Sequence, residues 1–393
     1  MVNSANNRGI KICFFAGGFI FMSYMGLAGA IAGIAEFFPE YSVEVVQTGV
    51  TAINLMIIVG AISAGWIFLR ASKKKKIIFG LTLIAAGGIG GYFFHDSIYL
   101  FYLWSIVIGF GFGHFTPTVS SLMIDYFEGA ERNRMAGMQT SFVNGGGMLL
   151  TFTGGVLAAI AWNASYLIFL VAIPIFIIFA VNLPAKNEYD GKRADLRKIP
   201  KSVAYYSASV IALMMVYNAF PSNIALYLSE NDFGNASLAG GVNAVFMAGG
   251  VFFGFVFSKF SLKIGDHLFA VAHFMIVICY FTLCFTGSLI VVFIVAFAGG
   301  MSISMTMPQA MYSVAARIPP QTSVAVFSLI ASISPNIASF SSPTVIGFLS
   351  RLFSDTGDSI SRLMTAGTLA LIFAVLQVIV LRSRRKAYEN QKS

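Results

Sequence analysis

The chain has 393 residues, of which 57% are hydrophobic and only 10% charged, with mean hydropathy +0.81. A soluble domain carries about 25% charged residues, and one of this length could not bury so much apolar surface, so composition argues against a soluble enzyme or a nucleic-acid-binding protein. The net charge of +9 reads as the placement of loops, because Lys and Arg gather on the cytoplasmic side of membrane chains.

Arg8 and Lys11 precede an apolar run from about Ile12 to Phe38. It is too long for the core of a cleavable signal peptide and reads as the first helix. Further stretches able to cross about 30 Å of hydrocarbon begin near residues 45, 77, 98, 136, 164, 202, 238, 267, 288, 322 and 363. The expected fold class is therefore an all-α membrane protein with twelve transmembrane helices in two six-helix pseudo-symmetric halves. Residues 1–185 form the N-terminal half, the highly charged 186–201 segment the cytoplasmic linker, and 202–393 the C-terminal half with its cytoplasmic tail. With the N-terminus inside, only Arg351 and Arg362 of the 25 Lys and Arg residues fall outside. Both termini are thus expected in the cytoplasm, in a cell inner membrane or plasma membrane.

The halves resemble one another. Gly65-Trp-Ile-Phe-Leu-Arg70 follows the second span and Gly254-Phe-Val-Phe-Ser-Lys259 the eighth, while Pro117 in the fourth span and Pro308 in the tenth stand at nearly the same offset. Weak internal symmetry at half the chain length is what the parallel repeats of a transporter leave in sequence. Cys13, Cys279 and Cys284 lie in apolar stretches and read as small core residues, without metal spacing or a disulfide framework. His95, His114, His267 and His273 make no HxxxH or HExxH pair, and no nucleotide-binding loop is visible, so no catalytic residue, metal or cofactor is expected.

Twelve spans in a six-plus-six arrangement, a charged central loop and a Gly/basic loop after the second helix resemble the major facilitator superfamily over the whole chain. That family's loop signature is Gly-x-x-x-Asp-Arg-x-Gly-Arg-Lys. Here Gly65, Arg70, Lys73 and Lys74 match it, while Leu69 replaces the Asp and Ser72 the second Gly. The resemblance implies a latch at the Asp, which this chain lacks. On the residues alone, Gly65 permits close helix approach, and Lys73 to Lys76 read as an anchor at the cytoplasmic surface. The segment Asp125 to Arg134 resembles the family's loop between spans four and five, where Asp125, Glu128 and Glu131 are expected to pair locally with Arg132 and Arg134. Span five carries Asn144, Gly146, Gly147, Gly154 and Gly155. Against the Gly-x-x-x-Gly-Pro-x-x-Gly-Gly pattern of drug/proton antiporters it keeps Gly146 but has Leu150 and Thr151 in place of Gly-Pro. Its small residues equally form a packing surface. The expected gating residues are Gly65, Arg70, Asp125, Arg132, Arg134 and Asn144.

All 16 acidic residues fall at span ends or in loops. Buried acids are the usual proton carriers and cation receptors of membrane proteins, and none stands near the midplane. His114, well inside span four, is the titratable group that remains. It is expected to carry a proton, to hydrogen-bond a solute, or simply to bond a neighbouring backbone carbonyl. His273 is expected to be structural. The family architecture implies that spans one, four, seven and ten line a central cavity, which selects Tyr24, His114, Asn218, Ser222, Gln309 and Tyr312 as substrate contacts. Asn218 and Ser222 share one face of span seven, with Pro221 bending the helix between them.

The segments around Phe37-Phe-Pro-Glu40, spans four and five and Asn218 to Gly241 resemble bacterial exporters of the arabinose-efflux or multidrug-like group. The expected function is secondary transport by alternating access, with proton-coupled efflux of a small organic or amphipathic solute. The alternative is uptake of a small organic acid or nutrient. The expected partners are that solute, protons and the lipid bilayer, not nucleic acid, and a monomer is expected. Cysteines introduced at Asn187 and at Asp232 should label from opposite sides of the membrane; equal labelling from outside would overturn the topology.

Overall fold

The computed structural model describes residues 4–41, 43–68, 71–184, 199–233, 236–353 and 358–390. Among them, twelve helices are long and apolar enough to cross a membrane. Spans one to six are Arg8–Leu27, Val45–Ile67, Lys73–Phe93, Ile98–Tyr126, Gly129–Ile160 and Trp162–Asn182. Spans seven to twelve are Ser202–Glu230, Leu238–Ile264, His267–Phe285, Leu289–Ala315, Pro320–Leu352 and Ser359–Ser383. An all-helical chain is what a bilayer demands, since every backbone polar group in hydrocarbon must be bonded within the protein.

Two boundaries differ from those expected. Span five begins at Gly129 and not near 136, because the charged run belongs to the helix. Glu131 stands in its first turn, where a carboxylate meets the positive end of the helix dipole. Arg132 folds back to donate to the Phe127 carbonyl at 2.7 Å. The first span is not one helix from Ile12 to Phe38. An α-helix over Ser4–Ile20 gives way to a 3-10 helix over Ser23–Ala30 and a short α-helix over Ile31–Phe37. The narrower coil brings backbone against backbone: a Cβ added at Gly154 of span five would stand 2.7 Å from the Gly26 carbonyl oxygen. The glycines of span five thus pack on span one.

The chain divides into two compact units. One comprises Met1–Arg132, Phe142–Val203 and Ala315–Asn336; the other comprises Asn133–Ser141, Ala204–Val314 and Ile337–Ser393. Each unit therefore contains a short segment from the other half of the sequence. In the first unit, a Cβ at Gly65 would lie 2.9 Å from Ala325 Cα and 3.0 Å from Ser328 Oγ. In the second, a Cβ at Gly254 would lie 2.7 Å from the Gly137 carbonyl oxygen. The two glycines singled out by the internal repeat thus each let a helix of the opposite half approach to backbone contact.

The four-lysine run at the start of span three does more than anchor. Lys73 reaches Asp125 at 2.5 Å and the Ser121 carbonyl at 3.3 Å, at the end of span four. Lys74 donates to the Ala180 and Leu183 carbonyls at 2.7 and 2.6 Å, at the end of span six. Lys76 donates to the Ala64 carbonyl at 2.9 Å, near the end of span two. The carbonyl ends of these helices carry negative dipole charge and lack intrahelical donors, so three ammonium groups from one helix start serve three others. Lys75 is exposed. Removing one partner from a buried ion pair strands the other charge, at a cost of about 3–5 kcal/mol. The Lys73 and Asp125 side chains are only 3% and 12% exposed. Lys73→Met should accordingly lower stability by about 3 kcal/mol, and the Lys73→Met/Asp125→Leu double variant should recover most of it, as measured by thermal unfolding of the purified protein.

Candidate functional site

His114 is 2% exposed and sits where spans two, three and four meet. Its Nε2 lies 3.1 Å from Ser63 Oγ, and the rings of Phe110, Phe79 and Phe68 stand edge-on at 4.9, 5.2 and 5.7 Å. Ser63 opens a π-helical turn, Ser63–Ile67, that ends span two; such turns widen a helix and gather at functional places. The His114 Nδ1 atom is buried without a hydrogen-bond partner. His273 is fully buried and its Nδ1 lies 2.7 Å from the Phe269 carbonyl of its own helix.

Span seven breaks where Pro221 and Asn218 placed the bend. Its α-helix ends at Tyr217, and a second runs over Ala219–Glu230. Pro221 has no N–H, so the Tyr217 carbonyl four residues back loses its helical donor. The Tyr280 hydroxyl serves this break, donating to the Val216 carbonyl at 2.6 Å, with the Tyr217 carbonyl at 3.4 Å. Asn218 Nδ2 donates to the Met214 carbonyl at 2.6 Å and to Ser339 Oγ of span eleven at 3.0 Å. Asn218 is half-buried and Ser222 exposed. Beside the break, Phe220 stacks on Phe246 at 4.5 Å and 10°.

The other selected residues have varied surroundings. Tyr24 is half-buried and meets Phe112 edge-on at 5.8 Å. Gln309 is 2% exposed, and both ends of its amide are taken by protein groups: Nε2 donates to Asp266 Oδ1 and to Ser313 Oγ at 2.9 Å, and Oε1 accepts from Ser261 Oγ at 2.7 Å. Tyr312 is half-buried. Among the gating candidates, Arg70 lies outside the described residues, and Gly65 makes the approach already given. The expected local pairs of the 125–134 run are made elsewhere: Asp125 with Lys73, and Glu131 with Lys11 at 2.6 Å. Arg132 serves the carbonyls of Phe127, Ile124 and, at 3.3 Å, Ala315. Local pairing loses because adjacent lysines offer ammonium groups from helix starts, whereas the arginine fork fits carbonyls at a helix end. Arg134 is exposed and Asn144 is buried.

The Major Facilitator Superfamily pattern matches residues 13–343, well over half of the chain. The chain belongs to the major facilitator superfamily. The fold is shared with solved transporters. It is similar to the human organic anion transporter MFSD10 (TETRAN), 13% identical over 94% of this chain and 99% of that chain with TM-score 0.75. It is also similar to the E. coli fucose:proton symporter FucP, 15% identical over 94% and 99% with TM-score 0.71. The proton:xylose symporter XylE is 13% identical over 95% of each chain, with TM-score 0.69. Among curated proteins, none matches. The protein is a multi-pass secondary transporter of a small solute and not an enzyme.

Sequence reasoning missed Ser63, Ser261, Asp266, Ser313 and Ser339 as partners of the selected residues. Only the Gln309–Ser313 pair carried a signal, its i, i+4 spacing on one helix; the others meet through tertiary packing. Tyr280→Phe should lower stability by about 1 kcal/mol, the net worth of a buried hydrogen bond, because it removes the donor at the break in span seven. Thermal unfolding checks this, and an unchanged midpoint would mean that the break needs no tyrosine.

Proposed function

We propose that this transporter exports a small organic or amphipathic solute, neutral or weakly acidic, by alternating access driven by protons. The observation that carries the solute class is the polar but uncharged character of the span interiors. Among the described residues the carboxylates and guanidinium groups stand at span ends, and the selected groups within the spans are phenol, amide, hydroxyl and imidazole. A permanent dication would need a buried acid as its counter-charge. Tyr24, Asn218, Ser222 and Tyr312 are the proposed contacts, and Gln309, its amide taken by protein groups, supports them from behind, with Gly65, Arg70, Asp125, Arg132, Arg134 and Asn144 as the proposed gate. The membrane is a cell inner or plasma membrane, with both termini in the cytoplasm. Two of the fold neighbours are named as proton symporters, which supports the proton as coupling ion.

His114 is the proposed proton-bearing group, its unpaired Nδ1 being the atom that would take the proton. With 2% exposure the ring is closed off from a solute in this conformation. Uptake of a small organic acid or nutrient is the second reading, favoured by Leu150 and Thr151 standing where the antiporter pattern has Gly-Pro. Flux separates the two, since an exporter loads everted vesicles and an importer loads cells. His114→Gln should retain ligand binding and downhill exchange while losing accumulation driven by a pH gradient. Unchanged accumulation at normal expression would make His114 a packing residue.

A further inference from the structure

The two units treat their cations differently. In the first, Lys11, Lys73, Lys74, Lys76 and Arg132 are taken by carboxylates or backbone carbonyls of the protein. In the second, Lys259 and Lys263 near the end of span eight and Arg382 near the end of span twelve are exposed. None of these three makes a hydrogen bond or an ion pair among the described residues. Asp266 is the one acid between Lys259 and His267, and both its oxygens are turned to protein donors: Oδ1 to Gln309 and Ser313, and Oδ2 to the Tyr206 hydroxyl at 2.8 Å. The surface thus carries positive charge that no carboxylate pairs with among the described residues.

Lys259 and Lys263 stand four residues apart, on one face of span eight. Exposed Phe260, Leu262 and Ile264 lie between and beside them, and exposed Leu376, Ile379 and Val380 precede Arg382. Span eight has 27 residues and reaches about 40 Å, against about 30 Å of hydrocarbon. It overruns the apolar layer, and the lysines mark the end that does. Long cationic side chains set among exposed apolar ones lie along the hydrocarbon and put their charge at its edge, which is where lipid phosphates are. Even-numbered spans end on one side of the membrane, and span nine, which begins at His267, packs on span twelve and touches span eight. The three cations therefore share one leaflet on adjoining helices. Arg384, Arg385 and Lys386 follow in the same helix as Arg382, which runs to Asn390.

We propose that the ends of spans eight and twelve form a docking surface for anionic phospholipid headgroups, with Lys259, Lys263 and Arg382 as the phosphate contacts. The guanidinium of Arg382 fits phosphate oxygens as a fork, and the lysines act as point charges. A zwitterionic headgroup brings its own cation, which this cluster repels, whereas an anionic headgroup brings a phosphate charge with nothing to cancel it. The surface therefore selects lipid by headgroup charge. This selection is independent of the solute, of the direction of transport and of the coupling ion.

Electron spin resonance tests it on the full-length protein reconstituted in phosphatidylcholine vesicles, with a trace of spin-labelled phosphatidylglycerol or of spin-labelled phosphatidylcholine with the same chains. The immobilised fraction of the label reports association with the protein. Phosphatidylglycerol should associate about fivefold more strongly at low salt, the worth of one cation near an anionic surface. The two lipids should approach parity in 1 M salt, where charges are screened beyond about 3 Å. Lys259→Gln/Lys263→Gln/Arg382→Gln should lower the preference to about twofold or less, and Lys259→Arg/Lys263→Arg/Arg382→Lys should keep it. Equal association of the two lipids in the wild type overturns the proposal, as does a preference that survives 1 M salt, even if the glutamine variant does not fold. An unchanged preference in the folded glutamine variant places the selection elsewhere and overturns these contacts. Inorganic phosphate added at constant ionic strength should leave the preference intact; its loss would mean that the cations take free phosphate instead of lipid, and would overturn the lipid assignment.

Discussion

Helix ends packed against one another leave carbonyl groups without donors, and in the first unit one stretch of sequence supplies those donors. Lys73, Lys74 and Lys76 project from the start of span three into the carbonyl ends of spans four, six and two. Four cations at a helix start oppose its dipole. The arrangement is tolerable because three antiparallel helices end beside it, each presenting partial negative charge. Asp125 adds a full countercharge. Spans two, three, four and six are thereby tied together through one helix start.

Much of this was legible in the sequence. Hydropathy located all twelve spans, because length and apolarity are the only conditions for crossing hydrocarbon. Pro221 and Asn218 marked the break in span seven, since a missing N–H acts locally. The lysine run was legible as a surface anchor but not as a clamp, because its carbonyl partners lie on helices far away in the chain. The same reason hid the partners of Gln309. Charge spacing misled in the 125–134 run, where residues close in sequence find stronger partners across the packing. The break in span one was also hidden: its apolar run is continuous, and the shift to a tighter coil follows from backbone contact with span five.

The internal repeat acquires a physical meaning from Gly65 and Gly254. A shared glycine alone is weak evidence of duplication. Here both stand near the end of the second helix of their half, and both accept backbone from a helix of the opposite half. The same requirement, a helix surface without a side chain, has been kept twice. The surroundings have diverged: the seam near Gly65 lies beside a π-turn and an imidazole, while that near Gly254 lies beside an amide and hydroxyl chain ending on Asp266. One framework thus carries two different polar linings.

The tight coil in span six has a consequence for the bilayer. Trp162–Asn182 has 21 residues, and its first ten, Trp162–Val171, form a 3-10 helix. At about 2.0 Å per residue in that part and about 1.5 Å in the rest, the span reaches about 36 Å, where an α-helix of the same length would reach about 32 Å. The extra length lies at the Trp162 end of the span, where Phe37, Phe38 and His95 surround the indole. Reach is therefore set by winding as well as by residue number. A thinner membrane can be matched by relaxing that winding, without tilting the helix.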